Sequence, residues 1–159
     1  MKRIYSVLVE NRSGVLMKVA GLFSRRMFNI DSLAVGETDD PKVSRITIVS
    51  SGDERTIEQI EKQLNKKLDV IKVKTFEEHN SINCEVMLVK VKYNRNNRRD
   101  IMEICDIMDA KIVDMSGSQM IIRVCDTPQR TVQFLSQLKG ISILEVARCG
   151  TLALPKCEN

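Results

Sequence analysis

The chain has no tryptophan, two tyrosines, one histidine and three prolines among its 159 residues. Aromatics make up only 4% of it, so the stacking platforms that single-stranded nucleic acids require are missing. The lone histidine, His79, sits beside Glu77 and Glu78 in a polar stretch and reads as a surface residue. A Cys–His nucleophile pair would have to recruit that same side chain. No apolar run approaches the ~20 residues that span a bilayer. The run Ile4–Val9 stops at Glu10 without a small-residue cleavage site, so no signal peptide is expected. The five cysteines, at 84, 105, 125, 149 and 157, include no Cys-x-x-Cys spacing. They suggest neither a zinc site nor a disulfide framework, read as small core residues within apolar segments, and fit a reducing cytoplasm. Walker A and Gly-x-Gly-x-x-Gly sequences are absent as well. Asp39-Asp40-Pro41 offers carboxylates but reads first as a turn. No catalytic residue and no metal ligand is therefore expected.

The net charge of +4 is spread evenly. Residues 1–80 hold 14 Lys/Arg against 12 Asp/Glu and residues 81–159 hold 11 against 9, so each half carries +2. Basic clusters such as Lys66-Lys67 and Arg95 to Arg99 read as solvated surface, and neither nucleic acid nor membrane is expected as a partner. The 43% hydrophobic content is enough for a core, although each half alone would be marginal.

Strand and helix signals alternate twice. Ile4–Val9, Ile30–Val35, Val43–Ser50 and Val70–Val73 read as strands, with helices at Gly14–Arg26 and after Gly52-Asp53. The second of these helices carries Ile57, Ile60, Leu64 and Leu68 on one stripe. The order repeats as strand Glu85–Val91, a helix marked by Ile101, Ile104, Cys105 and Met108, strands Lys111–Met115 and Gln119–Cys125, a helix opened by Thr127-Pro128, and strand Ile141–Val146. Two successive βαββαβ units predict an α+β protein of tandem ferredoxin-like domains, at 1–75 and 84–159, with a polar linker at 76–83. In such a unit the helices cover one sheet face. Apolar residues on both sides of the first strand, Tyr5, Val7 and Val9 against Ile4 and Leu8, then call for a second cover from another domain or chain. The same order of elements occurs in RNA-recognition modules, but the third strand, Val43 to Ser50, offers no aromatic for stacking.

The most informative segment runs from Leu8 to Leu33. An apolar strand enters the turn Asn11-Arg12-Ser13-Gly14 and passes directly into an amphipathic helix whose Val15, Val19, Leu22 and Phe23 share a face. Free N–H groups at that helix start, with Gly14 permitting close approach, favour an anion such as a carboxylate. The alternative is an ordinary capped start with Asn11 or Ser13 as the cap.

The segment closely resembles the first ACT domain of the acetolactate synthase (acetohydroxyacid synthase) regulatory-subunit family. The likeness is carried by Leu-Val-Glu-Asn-x-Ser-Gly-Val-Leu at 8–16, Gly-Leu-Phe-Ser-Arg-Arg at 21–26 and Asn-Ile-Asp-Ser-Leu at 29–33. It continues with Thr-Asp-Asp-Pro-x-x-Ser-Arg at 38–45 and Ile-Glu-Gln-Ile-Glu-Lys-Gln-Leu at 57–64. It is thinner at Met87–Val91 and at Glu-Val-Ala-Arg-Cys-Gly, 145–150, where Cys149 replaces the Ser or Thr that often follows the arginine.

The resemblance implies an N-terminal ACT domain for effector binding and dimerisation, followed by an ACT-like C-terminal domain. It implies a non-catalytic subunit that binds and activates the large subunit and confers feedback inhibition by valine in branched-chain amino-acid biosynthesis. Thiamine diphosphate, magnesium and FAD would belong to the large subunit, with no cofactor on this chain. Asn11, Gly14, Val15 and Leu16 of one copy would meet Asn29 and Ile30 of another in a homodimer or larger assembly. Leucine and isoleucine differ from valine by a single methylene, worth about 1–3 kcal/mol in an apolar pocket. A free-standing ACT-domain sensor acting on another enzyme is the alternative. For Asn29 the alternative role is a left-handed turn residue after the helix.

Overall fold

The computed structural model describes residues 2–157, which form two compact units. The termini of the expected domain ranges, Met1, Glu158 and Asn159, lie outside the described residues. The first unit runs β1 (Lys2–Glu10), α1 (Val15–Arg25), β2 (Ser32–Glu37), β3 (Val43–Ser51), α2 (Glu54–Asn65) and β4 (Val70–Phe76). Its antiparallel sheet has the strand order β2-β3-β1-β4. β5 (Ser81–Lys92) starts in the first unit with residues 81–83, and the second unit takes the rest of it with α3 (Arg98–Ile107), β6 (Lys111–Met115), β7 (Gln119–Asp126), α4 (Pro128–Gln137) and β8 (Ser142–Arg148), in the order β6-β7-β5-β8. Element for element the two orders are the same. Each unit is the expected ferredoxin-like βαββαβ.

Period-two alternation decides which side of each strand is buried. Tyr5, Val7 and Val9 of β1, with Ile46 and Ile48 of β3, point at the helices and pack on Val15, Val19, Leu22 and Phe23 of α1 and Ile57, Ile60 and Leu64 of α2. Met87, Val89 and Val91 play the same part in the second unit, against Ile101, Cys105, Phe134 and Leu138. Each fully buried Val, Leu, Ile or Phe contributes roughly 1.5–3 kcal/mol. These two stripes therefore define the fold.

Helix boundaries follow local chemistry. Asp53 accepts from the Thr56 N–H at 2.7 Å and opens α2, and this contact holds its carboxyl below the usual range. Thr127 caps α4 with Pro128 in the first turn, as the sequence suggests. Both α1 and α3 end in the same motif. Beyond α1, Met27 takes a left-handed φ of 58°, the Phe28 N–H reaches the Phe23 carbonyl at 3.0 Å and the Met27 N–H reaches that of Ser24 at 3.1 Å. Beyond α3, Asp109 has a φ of 52°, and Ala110 and Asp109 donate to Cys105 and Asp106. The left-handed residue after α1 is thus Met27, not Asn29.

Four further expectations change. Helix α2 stops at Asn65 with Lys66 as its cap, so Leu68 leaves the apolar stripe and is fully exposed. The stretch 76–83 is not an irregular linker: Phe76 ends β4, Glu78–Asn80 make a 3-10 turn, and Ser81 begins β5. Residues 150–157 belong with the first unit, not with 84–149. There Leu152–Pro155 form a further strand, β9, which pairs with β5, and the Lys156 N–H reaches the Asn80 carbonyl at 3.1 Å. Ala153 of this strand packs on Ile4, Val49 and Phe76, so the chain's own tail covers part of the sheet face that seemed to need a separate partner. Of the cysteines, Cys105 is buried and Cys84 half-buried, while Cys125, Cys149 and Cys157 are exposed rather than core. No helix among the described residues is long and apolar enough to cross a membrane.

Candidate functional site

The turn before α1 is built by its neighbours. The Asn11 N–H donates to the Lys42 carbonyl at 2.7 Å, and its side-chain amide donates to Glu37 Oε1 at 3.0 Å and to the Pro41 carbonyl at 2.8 Å. These bonds pin the turn to the β2–β3 hairpin, with the Asp39-Asp40-Pro41 turn folded around the Asp40 carbonyl and carboxylate. Gly14 then takes φ +83°, ψ −8°, a left-handed conformation that costs glycine little. Neither Asn11 nor Ser13 caps the helix, and no other side chain among the described residues does. The Val15 N–H turns back to the Arg12 carbonyl at 3.4 Å and the Lys18 N–H to that of Gly14 at 3.1 Å. Among the described residues the Leu16 and Met17 N–H groups have no such partner, and they sit at the positive end of the helix dipole. An exposed, uncapped helix start behind a left-handed glycine is the geometry that receives a carboxylate.

A charge cluster that the sequence did not disclose stands beside it. Asp69, nearly buried ahead of β4, takes Arg12 Nη2 at 2.8 Å and Lys18 Nζ at 2.7 Å, while its backbone carbonyl accepts from the Glu10 N–H at 3.0 Å. Arg12 also pairs with Glu10. Lys18 above all, then Arg12, holds the Asp69 carboxyl below the usual range despite the partial burial opposing them. Arg12 and Lys18 are spaced for one side of the turn, but their partner is more than fifty residues away, where no local pattern points.

Asn29 and Ile30 lie past the other end of α1. Asn29 is exposed, donates to Asp31 Oδ1 at 2.6 Å, and offers its carbonyl to Ser50 Oγ at 2.6 Å. Ile30 is half-buried against the core. The eleven residues of α1 rise about 16 Å. One chain therefore gathers Asn11, Gly14, Val15 and Leu16 at one end of the helix and Asn29 and Ile30 at the other. Within this group Val15 contributes its buried side chain to the core. Leu16 and Met17 of α1, and Leu33 and Val35 of the edge strand β2, stay exposed.

Residues 5–72 match the family described as AHAS small subunit-like ACT domain, and residues 84–157 match that described as small subunit of acetolactate synthase. The chain belongs to the acetolactate synthase small-subunit family. It is 43% identical to the acetolactate synthase small subunit of Haemophilus influenzae over 160 aligned positions, covering 100% of this chain and 98% of that one. It is 41% identical to the isozyme 3 small subunit of Escherichia coli, with the same coverage. The crystal structure of the acetolactate synthase small subunit from Thermotoga maritima superposes with a TM-score of 0.94 at 36% identity, over 100% of this chain and 99% of that one. The small-subunit family thus extends over both units, including the second, where the quoted motifs are thinnest.

Elsewhere in this small subunit no set of His, Cys, Asp and Glu among the described residues is arranged to hold a metal ion. His79 is exposed, with Nδ1 3.0 Å from Glu77 Oε2. In the second unit Arg148 of the Glu-Val-Ala-Arg-Cys-Gly motif donates to Glu85 Oε2 at 2.6 Å and to Thr131 Oγ1 at 3.2 Å, and Thr131 is fully buried. That arrangement ties β8 to β5 and α4, and is structural.

Proposed function

We propose that this chain is the regulatory subunit of an acetolactate synthase. It binds the large catalytic subunit, raises its rate of pyruvate condensation, and makes that rate sensitive to valine. Thiamine diphosphate, magnesium and FAD are carried by the large subunit on this reading, and the chain itself is not an enzyme. The observation that carries the proposal is the uncapped start of α1 behind Gly14, in a chain whose relatives are named as acetolactate synthase small subunits.

The mechanism follows from the chemistry of a branched-chain zwitterion. Its carboxylate takes the N–H groups at Leu16 and Met17 with the helix dipole behind them. The Asn11 and Asn29 side chains each offer an acceptor oxygen as well as an amide donor, which suits an ammonium group. Ile30 supports the apolar side chain. Because α1 separates these two groups within one chain, the complete site takes the helix start from one copy and Asn29 from a second. The exposed Leu16, Leu33 and Val35 supply apolar area for that pairing. Inhibition then arises because valine binds one arrangement of the complex more tightly than the other.

Sedimentation of the purified chain and its thermal unfolding with valine test the site. A dimer or larger species, with a Tm that rises with valine concentration, is expected because the ligand binds only the folded assembly. A monomer at micromolar concentration with no shift at millimolar valine would contradict it.

A further inference from the structure

Opposite the helices, the register places Ser6 and Leu8 of β1, Arg45 of β3, and Lys72 and Lys74 of β4 on one face of the first unit's sheet. Ala153 closes one end of that face, and beyond it lies a cavity of about 320 Å³. Ser6 and Leu8 form its floor, the three cations its walls, and Leu154 and Pro155 of β9 its rim. Among the described residues, no carboxylate lines it.

The cations of this cluster lack the carboxylate partner that several others have. Arg3, Arg12, Lys18, Lys62, Lys90, Arg130 and Arg148 all sit on carboxylates. Arg45, Lys72 and Lys74 form no ion pair with any described residue. Leu8 has Arg45 opposite it on one side and Lys72 on the other, and Lys74 stands opposite Ser6. With strands about 4.8 Å apart, the three charges ring a spot roughly 10 Å across. Arg45 is half-buried and already oriented, its Nη1 donating to Ser6 Oγ at 2.5 Å over a serine that is almost wholly buried. Like charges held together without a counter-charge repel, and an anion between them removes that repulsion.

We infer that this cavity binds a small multivalent oxyanion, a phosphate- or pyrophosphate-bearing compound with an apolar body. The guanidinium fork takes two oxygens and the lysines act as point charges. Leu8, Leu154 and Pro155 pack on the body. The volume falls at the lower end of the range for small-ligand sites, and the β9 rim limits the cavity to a compact ligand rather than an extended chain. The site lies on the sheet face away from α1 and does not depend on the valine reading.

The test is calorimetric titration of the full chain with inorganic pyrophosphate, at low and at physiological salt. Saturable binding with one site per chain is expected, weaker at the higher salt. Binding should fall roughly tenfold or more in Lys72→Gln/Lys74→Gln and again in Arg45→Gln. Both lysines are exposed, so the double variant should keep the Tm and circular dichroism of the parent. Asn29→Ala should bind pyrophosphate unchanged, which separates this site from the effector site. Absence of saturable heat, or equal affinity in the lysine variant, would overturn the inference. So would a double variant that loses the large subunit while the parent ignores pyrophosphate, because the cations would then contact an acidic protein surface.

Discussion

A β-carbon on Gly150 would stand 2.1 Å from the carbonyl oxygen of Leu33. The chain passes so close to the edge strand β2 at this point that only a residue without a side chain fits. The next residue fixes the crossing, with the Thr151 N–H donating to Ser32 Oγ at 2.8 Å. Gly150 closes the Glu-Val-Ala-Arg-Cys-Gly motif, and the strand it introduces, β9, covers Ile4 and forms the rim of the basic cavity.

Gly150→Ala should therefore displace either the tail or β2. The obstacle is backbone rather than a flexible side-chain tip, so a loss of about 1–3 kcal/mol is expected, as for other overpacking substitutions. Urea denaturation gives the loss. Hydrogen exchange should show faster exchange at residues 152–155, and unchanged exchange there would mean that the approach is relaxed without cost.

Tyr5 supplies a pH signature. Its ring is fully buried, edge-on to Phe23 with centroids 6.4 Å apart, and its hydroxyl has no hydrogen-bond partner among the described residues. Burial, reinforced by Glu61, pushes its pKa from 10.0 to about 12. Between those values the unfolded chain releases the proton first, so folding stability is fully present below pH 10 and falls as pH rises towards 12. Tyr5→Phe should flatten that fall. It should also stabilise the protein slightly at neutral pH, by up to about 1 kcal/mol, because a buried unpaired hydroxyl disappears. Thermal unfolding of both proteins from pH 7 to 11 checks both points.

Thiol labelling reads the cysteine distribution directly. Cys125, Cys149 and Cys157 are exposed, whereas burial, and then Asp106, pushes Cys105 up to about 11. Cys84 is raised by partial burial and by its neighbours Cys125 and Cys149. Brief treatment of the native chain with a maleimide at pH 7 should modify those three residues and spare Cys105. Intact mass and peptide mapping give the count, and early modification of Cys105 would show that α3 opens.

The proposed effector site predicts separable effects. Gly14→Asp should abolish valine inhibition while leaving activation of the large subunit largely intact, since a fixed carboxylate would occupy the anion position. Asp tolerates the left-handed backbone better than most residues, so the fold should survive. Asn29→Ala should weaken valine roughly 10- to 150-fold, from the loss of one hydrogen bond to a charged group worth about 1.5–3 kcal/mol. Valine titrations of the reconstituted complex measure both, and unchanged inhibition in the two variants would place the effector elsewhere.

Much of this was legible because the relevant signals are periodic or local. The i, i+3, i+4 spacing of Val15, Val19 and Leu22, the alternation around Ile46 and Ile48, and the Thr127-Pro128 helix start each state their structure in a few residues. The helix start at Gly14 was legible for the same reason, although its lack of a cap was not, because Asn11 looks like one until its amide is seen bound to Glu37 and Pro41. What escaped depends on distant partners. Leu-Ala-Leu-Pro at 152–155 has no distinctive pattern, and becomes a strand through pairing with β5 and packing on Ile4. Asp69 gains its role from Arg12 and Lys18 across the fold, and Met27 adopts a left-handed turn for which local rules favour Gly or Asn. Leu68 fitted the stripe by spacing alone, but the helix ends at Asn65 with Lys66 as its cap, before the stripe reaches it.

On the proposed reading, this chain regulates a catalytic subunit without sharing its chemistry. Acetolactate formation by the cognate large subunit, with thiamine diphosphate, magnesium and FAD at saturation, should be measured with and without this chain and across a valine titration. No activity is expected from this chain alone, with a higher rate from the mixture and inhibition by valine only when both chains are present. Two chains that co-elute while rate and valine sensitivity stay flat would contradict it.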